Sequence, residues 1–171
     1  MVEVLIIGHS NTPKVYSYDD VNITFVKKGG AVISDLYHHD LWPLVFGETW
    51  DIVIIFLGGN DLCFMEPNEV VSSLMEVVDQ LKCTKQVYLT LIETRVYSEE
   101  KSIKYNITTE EYNHKAKNCS RMLSRQAQRT NKFRTINCCP SYHYNSPEGI
   151  HFGEEAKISL ISKYLNAIQY A

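Results

Sequence analysis

The pattern that most constrains the fold is a short apolar run at residues 51–57, DIVIIFL, which ends at a pair of glycines. Such a run, rich in β-branched residues, is typical of a strand that is covered on both faces of a parallel sheet. Because it is the strongest strand signal in the chain, it predicts the central strand of the sheet. Weaker runs of the same kind predict four further strands, at residues 2–7, 22–26, 86–92 and 133–137.

Helical patterns lie between most of these strands, with apolar residues recurring at intervals of three and four. Thr108 and Glu111 have the spacing of a capping box at the start of one such segment. The predicted helices cover residues 31–41, 67–81, 108–129 and 154–168, and residues 93–106 are expected to be irregular. This alternation predicts an α/β fold, a three-layer α/β/α sandwich with a five-stranded, mainly parallel sheet, because right-handed crossovers place helices on both faces.

Composition indicates one ordinary globular domain over residues 1–171, with 44% hydrophobic and 22% charged residues. The net charge of -3 provides no general attraction to nucleic acid or anionic membranes. No stretch approaches the roughly 20 apolar residues of a transmembrane segment, and the N-terminus lacks the basic flank of a signal peptide. The five cysteines are odd in number and have no CxxC spacing, which predicts reduced thiols in an intracellular protein.

Four short polar motifs come directly after predicted strands or before the last helix. Ligands bind beyond the carboxyl ends of the strands in open α/β sheets, so we expect these motifs to lie close together. They are GHS at residues 8–10, GG at 29–30, GGND at 58–61 and EGIH at 148–151. The motifs bring a serine, a histidine, carboxylates and several hydrogen-bond donors to one edge.

These residue types suit nucleophilic catalysis on an acyl group. A serine hydroxyl needs a positioned base, and His151 is the candidate base for Ser10. Glu148 precedes it by three residues and could accept the other imidazole N–H, which completes a triad. The backbone N–H groups of Ser10 and Gly30 and the Asn60 amide could hold the developing oxyanion. No cofactor or metal is needed for this chemistry.

Taken in order, GHS, GGA, GGND and EGIH resemble the four sequence blocks of the SGNH or GDSL hydrolase family. The resemblance spans the chain and implies the flavodoxin-like fold of that family and an esterase activity. It implies Ser10 as the nucleophile, Gly30 and Asn60 as oxyanion-hole residues and His151 as the base. Two positions depart from the family pattern, which usually has aspartate where this chain has His9 and Glu148. The motifs are also similar to esterase domains in the first open reading frame of some animal non-LTR retrotransposons.

The resulting hypothesis is a serine esterase that acts on a small-molecule, lipid or glycan ester. The interval from Ser10 to Gly30 is brief, which predicts an open cleft that favours a short, acetyl-like acyl group. Residues 93–106 could fold over this cleft as a lid. The alternative is a module with the same fold, inactive or nearly so, that binds lipid, glycan or nucleic acid. In that case Ser10, Asn60 and His151 would be ordinary turn or loop residues.

Other polar residues have plainer interpretations. His9 is expected to support its loop, and Asp61 to stabilise the turn after Asn60.

A row of cations on the predicted 108–129 helix could bind RNA or an acidic partner but is more typical of a solvated helix face. These cations are Lys117, Arg121, Arg125 and Arg129. His38, His39 and Asp40 would bind a metal only with a further ligand nearby, so no metal site is predicted. Cys138 and Cys139 have the pattern of structural thiols, and the oligomeric state is left open.

Overall fold

A computed structural model describes residues 1–138 and 149–171. Its single sheet has five strands in the order β2-β1-β3-β4-β5, and every pairing between neighbours is parallel. The strands are β1 (Val2–Gly8), β2 (Val21–Lys27), β3 (Thr49–Phe56), β4 (Lys82–Thr90) and β5 (Arg134–Ile136). The predicted five-stranded sheet is confirmed, with β3 at its centre.

Helices cover both faces of the sheet, as the alternation of strands and helices predicts. The helices are α1 (Pro67–Gln80), α2 (Glu99–Tyr105), α3 (Thr109–Thr130) and α4 (Glu154–Gln169). Successive strand residues point to opposite faces. Val53 and Ile55 of β3 therefore join the buried cluster with α1 and α3, whereas Ile52 and Ile54 join the cluster with α4. The three-layer sandwich is thereby confirmed.

The helix boundaries follow local capping signals. The Thr108 side chain accepts a hydrogen bond from the Glu111 backbone N–H at 3.1 Å, and the Glu111 carboxylate accepts one from the Thr108 N–H at 2.9 Å. This reciprocal pair is the predicted capping box at the start of α3. Pro67 occupies the first turn of α1, where its missing N–H costs no hydrogen bond.

The prediction of a helix at residues 31–41 is wrong. The structure has a short 3-10 helix, Ile33–Tyr37, and then a single π-helical turn, Pro43–Gly47. The Asp35 carboxylate accepts a hydrogen bond from the Val32 N–H at 2.9 Å, which stabilises a tight turn. Aspartate side chains compete in this way with regular helix hydrogen bonds. The β-branched residues at 32 and 33 further weaken a regular helix there.

The prediction that residues 93–106 are wholly irregular is also wrong, because the segment contains α2. The helix has no buried residue, so the segment shows no apolar periodicity that could have revealed it. The residues that cap it at both ends, Ser98 and Asn106, are of types that commonly cap helices. Ser98 accepts a hydrogen bond from the Lys101 N–H at 3.2 Å, and Asn106 ends the helix in the left-handed conformation with φ of 49°.

The connection from β1 to β2 contains no helix, and Val15 from this segment packs in the core cluster on the α4 face. Among the residues that the structure describes, no helix is both long and apolar enough to cross a bilayer.

Candidate active site

The carboxyl ends of three strands and the loop before α4 meet at one cavity. Ser10 follows β1, Gly30 follows β2, Asn60 follows β3 and His151 precedes α4. All four residues line the same cavity, whose volume is about 280 Å³. The structure therefore brings together four of the five residues that the sequence singled out. The fifth, Glu148, lies outside the described residues.

The turn that presents Ser10 depends on Gly8. A Cβ atom at this position would overlap the Thr12 side chain and would lie 3.0 Å from the Phe56 carbonyl oxygen. The Thr12 N–H donates to the His9 carbonyl at 3.0 Å, which closes the turn. A glycine at the end of β1 thus allows the chain to fold back tightly, with Ser10 at the cavity.

Asn11 ties the nucleophile loop to the His151 loop. Its amide Nδ2 donates to the Ile150 carbonyl at 2.9 Å, and its Oδ1 accepts from the Phe152 N–H at 2.9 Å. The two bonds hold the backbone on both sides of His151, and the Asn11 side chain is buried. The residue next to the candidate nucleophile therefore positions the candidate base.

The loops after β2 and β3 are joined in the same way. Gly30 has a φ of +70°, a conformation that favours glycine. The Asn60 amide Nδ2 donates to the Ala31 carbonyl at 2.9 Å. The buried Asp61 carboxylate accepts from the Ile33 N–H at 3.1 Å, and burial raises the pKa of this carboxyl. Asp61 thus braces the loop, as expected from its place after Asn60.

Arg95 determines which way the Asn60 amide faces. Its Nη1 donates to Asn60 Oδ1 at 3.1 Å and to the Tyr97 hydroxyl oxygen at 3.2 Å. Because arginine has donors only, the amide oxygen must point toward Arg95. The amide nitrogen, with two N–H groups, then points to the Ala31 carbonyl side.

A buried ion pair holds Arg95 in place. Arg95 donates to Glu93 Oε1 through Nε at 2.9 Å and also through Nη2, and both side chains are almost fully buried. Burial by itself would raise the pKa of Glu93, but the charge of Arg95 and the contacts that Arg95 and His9 make with the carboxylate outweigh burial and hold that pKa well below its usual range. Gly59 packs against this pair, since a Cβ there would lie 2.8 Å from Glu93 Oε1.

His9 connects the ion pair to the nucleophile loop. Its Nδ1 accepts a hydrogen bond from the Asn11 N–H at 3.1 Å, so the ring hydrogen of the neutral tautomer lies on Nε2. Nε2 lies 3.5 Å from Glu93 Oε1, a polar contact that is longer than a good hydrogen bond. The ring is fully buried and packs on Phe56 with centroids 4.4 Å apart. His9 supports its loop, in agreement with the sequence interpretation.

Sequence reasoning did not identify Asn11, Glu93 or Arg95 as site residues. Glu93 and Arg95 follow β4, so the carboxyl edge of the sheet was an available signal for both. Asn11 follows β1 and had the same signal, but its role in holding the His151 loop had none, because its partners lie 139 and 141 residues away.

Among the remaining candidates that the structure describes, Cys63 lines the cavity and the others lie apart from it. His38, His39 and Asp40 are exposed, with ligand atoms within 4.8 Å of one another, and are the single group of this kind among the described residues. Three exposed ligands fall short of the four that a structural zinc site uses. The row of cations on α3 is exposed throughout. Cys63, Cys83 and Cys119 are free thiols. Cys138 is partly buried, and Cys139 lies outside the described residues.

The fold and the arrangement of these loops place the chain in a structural class, that of the SGNH or GDSL hydrolase fold. The chain is similar to the native aryl esterase of M. smegmatis, with a TM-score of 0.76 and 14% identity over 99% of both chains. A lipolytic G-D-S-L family protein from Veillonella parvula has a TM-score of 0.75 and 13% identity over 100% of both chains. Est24, a carbohydrate acetylesterase from Sinorhizobium meliloti, has a TM-score of 0.74 and 16% identity over 99% of both chains.

No protein-family model matches the sequence. No curated protein matches it either. The structural likeness therefore confirms the fold that the sequence motifs predicted. The similarity to retrotransposon esterase domains and the intracellular location stay predictions.

Proposed function

We propose that the protein is a serine esterase in which Ser10 is the nucleophile and His151 the general base. The observation that carries this proposal is the convergence of Ser10, Gly30, Asn60 and His151 on one cavity from four separate segments of the chain. A serine and a histidine alone would be common loop residues. Their position beside two candidate oxyanion donors, at the strand ends where α/β folds bind ligands, supports catalysis.

The reaction follows from the roles of these groups. Ser10 Oγ attacks the ester carbonyl carbon while His151 takes the hydroxyl proton. The carbonyl oxygen becomes an oxyanion, which the N–H groups of Ser10 and Gly30 and the Asn60 amide stabilise. The C–O bond to the alcohol breaks, and His151 returns its proton to that alcohol. Water then attacks the acyl-serine with His151 again as base, which releases the acid and restores Ser10.

Glu148 is proposed to accept the second imidazole N–H of His151 and so to stabilise the imidazolium that forms. Arg95 is a positioning residue in this scheme. Because it holds Asn60 Oδ1 at 3.1 Å, the amide nitrogen is preset before substrate binds. Donors that need no reorganisation during the reaction stabilise a transition state most effectively.

The acyl group is proposed to be short, such as acetyl. A cavity of about 280 Å³ is small for a ligand pocket, and pockets for drug-sized molecules are usually larger. The solved structures with this fold include an aryl esterase and a carbohydrate acetylesterase, and an acetate ester is the simplest substrate consistent with the cavity.

The test is hydrolysis of p-nitrophenyl acetate, together with labelling by a fluorophosphonate probe. We expect Ser10→Ala to abolish labelling and to reduce turnover to the buffer rate. Ser72→Ala, an exposed serine on α1, is the matched control and should behave as wild type. Asn60→Ala should lower kcat by about 100- to 1000-fold, the usual cost of one oxyanion donor. Equal turnover by wild type and Ser10→Ala, with no label on Ser10, would refute the proposal.

A second candidate function is nucleic-acid binding by a chain of this fold. The exposed cations on α3, Lys117, Arg121, Arg125 and Arg129, favour it because they repeat every four residues along one helix. Fluorescence anisotropy with a single-stranded RNA over a range of salt concentrations tests this role. Binding that weakens with salt and is lost in Arg121→Ala/Arg125→Ala would support it, and salt-independent or absent binding would exclude it.

A further inference from the structure

The outer part of the cavity is lined by residues that the catalytic scheme does not use. Phe64 lies just after the 3-10 helix Asp61–Cys63, and Lys101 and Tyr105 lie on α2. Phe64 is 67% exposed and Tyr105 is 38% exposed, whereas Lys101 is half-buried. We call these three residues the rim. The rim joins a cation to two exposed aromatic rings beside the catalytic groups.

The rim has a positive charge that no carboxylate among the described lining residues balances. Two cationic side chains, Arg95 and Lys101, line the cavity, and none of the described lining residues is a carboxylate. The Arg95 charge is neutralised by its buried ion pair with Glu93. Among the described residues, Lys101 Nζ has neither an ion-pair partner nor a hydrogen-bond acceptor, although Glu99 and Glu100 lie on the same helix. A half-buried ammonium without a partner loses hydration that a bound anion would replace.

We propose that the rim binds a negatively charged group on the alcohol part of the substrate. The inference rests on the proposed esterase function, in which the short acyl group occupies the space near Ser10. The alcohol part then extends outward past Lys101. The exposed rings of Phe64 and Tyr105 offer flat faces for a ring. The substrate class is therefore an acetate-type ester of a ring alcohol that carries a carboxylate or a phosphate.

The test compares four acetate esters that differ mainly in charge. They are phenyl acetate, 4-acetoxybenzoate, 4-acetoxyphenyl phosphate and 4-acetoxyphenyl-trimethylammonium. Acetate release is measured for wild type, Lys101→Met and Lys101→Arg. Lys117→Met is the matched control, because Lys117 is an exposed helical lysine on α3 that does not line the cavity. For each ester, the wild-type kcat/KM is divided by the kcat/KM of Lys101→Met for the same ester. This ratio removes the differences in leaving-group reactivity among the esters.

We expect Lys101→Met to lower kcat/KM for at least one anionic ester by roughly tenfold, the usual worth of a hydrogen bond to a charged group. For phenyl acetate, the kcat/KM of Lys101→Met should differ from wild type by less than twofold, and for the cationic ester it should rise. Lys101→Arg should retain most of the preference, and added salt should weaken it. If kcat/KM falls more for one anionic ester than for the other in Lys101→Met, the rim prefers the anion of that ester. An equal effect of Lys101→Met on all four esters would overturn the proposal.

A binding measurement separates failure of this inference from failure of the esterase proposal. Titration calorimetry of phenyl phosphate and of benzoate is carried out on Ser10→Ala, which needs no turnover. Binding of either anion that weakens about tenfold in Ser10→Ala/Lys101→Met supports the rim site even if no ester is hydrolysed. Absent binding of both anions, or binding that Lys101→Met leaves unchanged, refutes the rim site even if phenyl acetate is hydrolysed.

Discussion

Replacing Asn11 with alanine would release the loop that carries His151 while leaving Ser10 unchanged. The Asn11 amide is the donor to the Ile150 carbonyl and the acceptor from the Phe152 N–H, both at 2.9 Å. Alanine offers neither group, so the backbone on both sides of His151 loses a partner. The candidate base would then spend more time away from the candidate nucleophile.

The size of the effect follows from the two lost bonds. A typical intramolecular hydrogen bond contributes about 1 kcal/mol net to stability, so the pair contributes about 2 kcal/mol. Because about 1.4 kcal/mol corresponds to a factor of ten, the population with the loop in place falls by about 30-fold. In a chain of this length the same 2 kcal/mol would lower Tm by about 4 to 8 °C.

Steady-state hydrolysis of p-nitrophenyl acetate and the rate of fluorophosphonate labelling measure this effect. Both should fall by about 10- to 30-fold in Asn11→Ala, because both need an activated Ser10. Asn11→Asp should fall at least as far, because it buries a carboxylate against the Ile150 carbonyl oxygen, and this repulsion outweighs the retained acceptor for the Phe152 N–H. Asn22→Ala is the control, because the Asn22 side chain makes only an exposed hydrogen bond.

The reasoning fails if Asn11→Ala is folded and retains kcat/KM within twofold of wild type. Such a result would mean that the His151 loop is held independently of Asn11. A variant whose activity and thermal stability both fall, while Asn22→Ala is unaffected, would instead confirm that this contact positions the base.

Three further predictions concern the buried ion pair. Arg95→Met leaves Glu93 as an unpaired buried charge, which should cost about 3 to 5 kcal/mol, so thermal unfolding should show a Tm lower by about 10 °C. Arg95→Lys keeps the charge but cannot reach Glu93 and Asn60 together, so it should lower kcat more than it raises KM, and unchanged kinetics would contradict the positioning role. Because the pKa of Glu93 is lowered on folding, its stabilisation is present above the unfolded pKa of about 4.3 and is lost as the pH falls below it. Urea unfolding from pH 7 to pH 3 should therefore lose stability less steeply in Glu93→Gln than in wild type, and parallel curves would rule out this contribution.

The architecture was predictable because strand and helix patterns are local. The apolar run at residues 51–57 identified the central strand, which the structure places at Thr49–Phe56. Elements without a buried face could not be found in this way. Helix α2 has no buried residue and was missed, and the predicted helix at residues 31–41 is a short 3-10 helix followed by a π turn.

By itself, the sequence determined where the candidate site residues lie, at the strand ends and before the last helix, because glycine turns after apolar strands are short-range signals. This logic predicted Ser10, Gly30, Asn60 and His151 as candidates, and the structure places all four at one cavity. Only the tertiary structure decided how they are held, since the order of strands brings distant loops together. The contact of Asn11 with the His151 loop spans about 140 residues. Arg95 reaches Asn60 only because β4 lies beside β3, and no local pattern encodes that neighbourhood.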